Sequence, residues 1–221
     1  MTTSDLEAVA RKADVVRLRI VGLKQNLGAL ERLVSLRELE LVDPRTIDGL
    51  DRLQHLEALT LYAIPHVSSL APVARLTHLR KLLVSTPPGY DASRKCYEVE
   101  SLEPIACLTR LERLTMRGIV PRTGRLKPLQ RLKNLREIGI THVYVFGIED
   151  YAQLAQALPD AQGHCLQPVF EATWAGTCSR CGGGRVAFTA PPPRSPRTAC
   201  PVCHRARIER HVNAWNSVGN R

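Results

Sequence analysis

Leucine or a close apolar substitute recurs along most of this chain in the pattern L-x-x-L-x-x-L-x-L, with polar and charged residues between. Five copies are clear: Leu33/Leu36/Leu39/Leu41, Leu53/Leu56/Leu59/Leu61, Leu76/Leu79/Leu82/Val84, Leu108/Leu111/Leu114/Met116 and Leu132/Leu135/Ile138/Ile140. A weaker one precedes them at Val15/Leu18/Ile20. The end of each copy alternates apolar with other residues, the period of a strand with one buried face. These strand positions fall at 18, 39, 59, 82, 114 and 138, in steps of 21, 20, 23, 32 and 24 residues. The return segments share a three-residue apolar period, as in Ile47/Leu50/Leu53, Val67/Leu70/Val73, Val99/Leu102/Ile105 and Leu126/Leu129/Leu132. No single unit of this length buries its own apolar face, so the pattern predicts a stack with one continuous core.

With the proline of "LEPI" and "LKPL", residues 15–166 resemble the SDS22-like and internalin-like short leucine-rich repeats. The resemblance implies an α/β repeat solenoid of short parallel strands with irregular or helical returns. It also implies an asparagine three residues after the last strand leucine, where this chain has Pro44, Ile64, Pro87, Ile119 and Val143. Turns after the strands are therefore expected to be less regular, some capped by proline. Residues 1–14, with "SDLEAVARKA", are expected to form a helical cap, and 149–166 a closing helix with a last half-repeat. The 32-residue step places an insertion at 85–98 directly after a strand. It is read as a binding loop beside the sheet face, with a plain surface loop as the bland alternative. Cys96 within it has no neighbouring histidine or helix start that would activate its thiol.

The C-terminal stretch 167–221 changes character. Cys178-x2-Cys181 and Cys200-x2-Cys203 present two thiol pairs across 18 intervening residues. Each short knuckle turns both sulfurs toward one point, and four thiolates complete a tetrahedron, which predicts one structural Zn2+ without an open position for catalysis. "VFEATWAGTCSRCGGGRVAFTA" reads as strand, knuckle and strand with Gly182–Gly184 at the turn. The segment resembles a zinc ribbon, with His204 beside the last ligand but not needed as one. Beyond it, Ile208, Val212 and Trp215 form an apolar helical stripe, while Arg205, Arg207, Arg210 and His211 are placed off it.

Charge and composition narrow the function. The formal net charge is +10, and residues 166–221 carry eight basic against two acidic residues. That basic module, through Arg185, Arg205, Arg207 and Arg210, is one candidate contact to nucleic acid. Arginine outnumbers lysine 25 to 6, the bias of a GC-rich genome, and a bacterial source is expected. The first fifteen residues have no apolar run of a secretory signal, and no stretch reaches the ~18 apolar residues of a membrane span. With seven cysteines of which four form a metal set, a reducing cytoplasm is the expected compartment, leaving Cys96, Cys107 and Cys165 as free thiols. No nucleophile elbow, phosphate loop or zinc-protease motif occurs, so no catalytic residue is assigned.

Side chains between the strand leucines point out of the core. The candidate partner surface is Arg17, Arg19, Glu38, Glu40, Thr60, Tyr62, Lys81, Leu83, Arg113, Thr115, Arg117 and Glu137, with an apolar centre at Tyr62 and Leu83. Mixed charge around such a centre suits a protein better than a duplex. The chain is expected to be a non-enzymatic protein-binding module, for instance an immunity or antitoxin-type neutralising partner. A nucleic-acid-associated protein working through the basic ribbon is the alternative.

Overall fold

The computed structural model describes residues 7–218 except 10, 12–13, 87–95, 142–144 and 192–194. Strands β1 (Arg17–Val21), β2 (Glu38–Val42), β3 (Ala58–Tyr62), β4 (Lys81–Ser85), β6 (Arg113–Arg117) and β8 (Glu137–Ile140) form one parallel sheet in chain order. Equivalent leucines fall in register, Leu39 opposite Leu59, Leu59 opposite Leu82, Leu82 opposite Leu114 and Leu114 opposite Ile138. The core lies between this sheet and the returns, and every strand position assigned inward from Ile20 to Ile140 is at most 5% exposed.

The returns explain why the apolar period there is three. They are mostly short 3-10 turns, at Gly28–Arg32, Leu50–Arg52, Ala71–Arg75 and Lys127–Arg131, with α1 at Glu103–Ala106 in the same place. A 3-10 turn repeats every three residues, so an L-x-x-L spacing keeps one edge against the core. Leu30, Leu50, Val73, Ile105 and Leu129 fill that edge. Prolines 72, 104 and 128 open three of these segments, where a missing N–H breaks no bond.

The expectation of irregular turns after the strands fails at four of the six strands. Gly22, Asp43, Ala63 and Gly118 each follow a strand directly and share left-handed backbone, with φ between 51° and 65°. Their neighbouring amides stay on the ladder, as Gly22 donates to Val42, Asp43 to Tyr62 and Ala63 to Ser85. Backbone pairing thus replaces the missing asparagine side chains. The strand entrances are equally regular. Arg37, Glu57, Arg80, Glu112 and Arg136 alternate in sign from repeat to repeat, each N–H after the first donating to the carbonyl of the one before at 2.8–2.9 Å. Arg37 pairs with Glu57 and Arg80 with Glu112.

Two sequence expectations about the insertion also change. Ser85, expected on the open face, is buried, and Thr86 accepts the Ile64 N–H at 2.9 Å through its hydroxyl. At the far side, β5 (Tyr97–Val99) pairs in parallel with β7 (Ile119–Pro121) in a second, two-stranded sheet. The ends of 85–98 therefore serve the core, because a buried polar chain has to find partners; residues 87–95 lie outside the described residues. Most of the expected 1–14 cap does too, but residues 7–9 are helical and Val9 packs on the core. At the other end α2 (Ile148–Ala157) buries Tyr151, Ala152 and Leu154. Its Asp150 carboxylate accepts the Leu126 N–H and pairs with Arg125 at 3.2 Å. Gln162 then forms a parallel bridge to Glu137 at the β8 edge.

Gly22→Ala places a methyl where no atom lies within 4 Å, so its cost comes from the left-handed backbone alone. Loss of about 1 kcal/mol is expected, against about 2–5 kcal/mol for Leu61→Ala, which opens a cavity in the core. Urea unfolding of the two variants checks the order.

Candidate functional site

The open face of the six-stranded sheet is a lattice of three rows. The first runs Arg17, Glu38, Ala58, Lys81, Arg113, Glu137; the second Arg19, Glu40, Thr60, Leu83, Thr115, Gly139; the third Val21, Val42, Tyr62, Ser85, Arg117. The alternation expected from sequence holds, apart from buried Ser85. What sequence reasoning missed is that much of the charge is spent inside the face. Arg17 pairs with Glu38 at 2.9 Å, Arg19 with Glu40 at 3.2 Å and Arg113 with Glu137 at 3.3 Å. Directly opposed residues on adjacent strands are close enough for such pairs, so the signal was the register itself. Among the described residues Lys81 and Arg117 make no ion pair. Between the paired borders, β3 and β4 present Ala58, Thr60, Tyr62 and Leu83. Tyr62 is 40% exposed and continues through Val42 to Val21, which is 58% exposed.

The C-terminal segment builds a second, smaller sheet. Strands β9 (Val169–Glu171), β10 (Val186–Phe188) and β11 (Thr198–Ala199) are antiparallel with β10 in the middle. The first two and the intervening glycines match the sequence reading; β11 was not foreseen, being only two residues long. The Sγ atoms of Cys178, Cys181, Cys200 and Cys203 all lie within 4.8 Å of one another. Cys178 and Cys203 are 3.8 Å apart and Cys181 and Cys200 3.4 Å. Both knuckles are closed by backbone bonds, Gly182 donating to Cys178 and His204 to Cys200, each at 2.8–2.9 Å. The turns aim N–H groups at sulfur. Those of Arg180 and Cys181 lower the Cys178 thiol to about 6, and that of Cys203 leads in lowering Cys200. Cys203 is pushed up to about 12, chiefly by its hydrogen bond with Cys181, as expected when crowded thiols share protons. His204 accepts the Cys200 N–H through Nδ1 at 3.3 Å, so it supports the knuckle from beside the cluster.

Neither Cys165 nor Cys96 is activated. Cys165 is buried, and burial raises its thiol to about 11; burial raises Cys96 as well.

Helix α3 (Arg205–Ser217) joins the two sheets, but not on the stripe expected. Trp215 is buried in the core of the repeats, while Ile208 and Val212 are only half-buried. His211, expected off the stripe, is buried: it donates from Nε2 to the Thr189 carbonyl at 2.9 Å and packs edge-on against Phe188. The buried face is thus rotated toward His211 and Trp215, four residues apart. Trp174 is 70% exposed and seals nothing. The four arginines named for nucleic acid scatter. Arg205 pairs with Glu209, and Arg207 donates to the Pro196 carbonyl while lying 4.6 Å over the Phe188 ring. Arg185 is half-buried and its carbonyl accepts the Ala172 N–H. Arg210 alone of the four is exposed with no hydrogen bond or ion pair among the described residues.

A search of solved structures finds repeat proteins of the same design. Internalin C2 of Listeria monocytogenes matches over 72% of this chain and 62% of its own, at 20% identity and a TM-score of 0.53. A leucine-rich repeat protein of Leptospira interrogans matches over 70% and 38%, at 16% identity and a TM-score of 0.50. An internalin, InlF, of L. monocytogenes matches over 74% and 50%, at 21% identity and a TM-score of 0.49. The match therefore spans 38% to 62% of the length of these structures. The fold of the six-stranded array is that of a leucine-rich repeat solenoid. No protein-family model matches the chain, and no curated protein matches it.

Burial lowers the His211 pKa below its ordinary 6.5, with Arg207 adding repulsion against the Thr189 carbonyl's opposite pull. The unfolded chain then takes up a proton before the folded one, so stability is present above 6.5 and falls as the pH drops below it. His211→Gln is expected to flatten that part of the acid loss, read as the difference between the two proteins' melting temperatures across the same pH range.

Proposed function

We infer that this chain is a non-enzymatic protein-binding module that holds its partner on the open sheet face, centred on Tyr62 and Leu83. One observation carries the reading. An apolar strip runs from exposed Val21 through half-buried Val42 to exposed Tyr62, with half-buried Leu83 beside it, and the arginine–glutamate pairs next to it are already matched on the face. A desolvated apolar centre with a polar rim is the anatomy of a protein interface. The paired borders give up little on being covered, and no row of free cations is offered to a phosphate backbone. The expected cytoplasmic setting and a neutralising role of the immunity or antitoxin kind are compatible finer versions of this reading.

The second part of the reading is that Cys178, Cys181, Cys200 and Cys203 hold one structural Zn2+, making residues 167–221 a zinc ribbon that closes the C-terminal end of the repeats. Sulfurs around zinc at about 2.3 Å sit about 3.8 Å apart. Two of the sulfur pairs, at 3.8 and 3.4 Å, lie near that edge, and all four sulfurs fall within 4.8 Å of one another. Four sulfur donors favour zinc over hard cations, and they fill its tetrahedron. Bound there, the metal supplies folding energy to the small sheet, whose own core is slight.

Tyr62→Glu and Leu83→Glu are expected to abolish capture of a stoichiometric partner from the native host, because a carboxylate in a desolvated contact is costly. Both variants should melt like the parent. Undiminished capture by both would move the interface elsewhere.

Metal analysis after purification without chelator is expected to give one zinc per chain, and Cys200→Ser to lose it. Chelation should raise hydrogen exchange from about residue 168 onward and in the final repeat that Trp215 covers, leaving β1–β4 protected. Exchange spreading to β1 would contradict the modular arrangement.

A further inference from the structure

The junction between the repeats and the C-terminal module encloses a cleft of about 810 Å³. Its floor is apolar and aromatic, with Phe146 from the repeat end and Phe188 from β10. Every charged side chain in its lining is cationic: Arg197 from the small sheet, Arg207 and Arg210 from α3. No carboxylate lines it among the described residues. Of the nearby acids, Glu209 pairs with Arg205 and Asp150 with Arg125 and the Leu126 N–H, while Glu149 lies beside Gly147 without lining the cleft. Gly147 and Ile148, at the start of α2, also line the cleft, and no side chain caps that helix end. The positive end of its dipole is offset by Glu149 and Asp150 in the first turn, so the cationic character of the cleft comes from its arginines.

Placing Arg207 and Arg210 side by side carries a cost. Arg207 is held below its ordinary basicity by burial and by Arg210, and Arg207 in turn disfavours a charge on His211. The fold itself needs only part of this: Arg207 ties the Pro196 carbonyl and covers Phe188, but Arg210 ties nothing among the described residues. An anion entering from solvent would relieve the repulsion. The volume exceeds what a bare inorganic anion fills and lies in the range of small-molecule sites, about 300–1,000 Å³.

We propose that this cleft binds a small amphipathic anion, an aromatic or aliphatic body carrying one phosphate or carboxylate. The body rests on the Phe146 and Phe188 side and the anionic group lies among Arg197, Arg207 and Arg210. Planar guanidinium groups suit both headgroups through paired N–H donors. The site is separate from the sheet face around Tyr62, so it stands or falls independently of the partner-binding reading.

Calorimetric titration of the full, metal-loaded chain tests it with four probes: 1-naphthyl phosphate, 1-naphthoate, neutral 1-naphthalenemethanol and inorganic phosphate. Saturable one-to-one binding of at least one naphthyl anion is expected, at least about tenfold tighter than the alcohol or phosphate. Whichever anion binds more tightly identifies the headgroup. Arg210→Glu is expected to weaken that binding by about tenfold or more, with zinc content and melting temperature unchanged. Ala214→Trp, at an exposed position on the cleft wall, should block it by filling the space. The proposal is overturned if neither anion binds at millimolar concentration, if the alcohol binds equally well, or if both folded variants bind like the parent.

Discussion

Everything in this molecule depends on a side-by-side sharing of apolar surface. Each repeat supplies a strand face and a return edge, and neither is covered until the next repeat stacks on it. Leucines that would be half-wet in one unit are nearly all below 5% exposure in the array. The same constraint dictates the ends, because the last repeat has no successor. Helix α2, the Gln162 bridge and Trp215 of α3 take the place of one. The cysteine cluster lies beside those closing elements, which links its order to the order of a hydrophobic end.

The repeats were legible because their information is periodic. A leucine spacing repeated five times states the strand, its inward face and the length of the return, and β1–β4, β6 and β8 lie where that spacing puts them. The four cysteines were legible for a related reason, since two short spacings leave each sulfur pair little freedom. The fold kept what the pattern stated and added what the pattern does not encode. Left-handed turns at Gly22, Asp43, Ala63 and Gly118 use three different residue types, so only the backbone reveals that all four are equivalent. The alternating row from Arg37 to Arg136 was readable in principle, but each member occupies a position the leucine pattern treats as free.

The misses cluster where one element answers to two neighbours. Helix α3 was oriented by its apolar residues alone, and that logic put His211 outside. In the fold, His211 meets the Thr189 carbonyl just after β10 and the Phe188 ring beside it. Polar atoms with a fixed partner bury as readily as leucine does. Thr86 went the same way: it follows a strand, as an exposed loop would, but its hydroxyl accepts the Ile64 N–H, while Ser85 before it is buried with no partner for its hydroxyl among the described residues.

The paired borders of the sheet face have a kinetic meaning. A free charge is felt across a Debye length, about 8–10 Å in ordinary salt. An arginine facing its own glutamate on the next strand acts outward as a dipole, whose reach is shorter still. With Arg17, Arg19 and Arg113 so occupied, only Lys81 and Arg117 project an uncompensated field from the centre of that surface. A visitor is given little guidance on approach and meets the face essentially by diffusion. For the partner proposed above, recognition would be made at touching distance, and the lifetime of the complex, more than the speed of its formation, would decide selectivity.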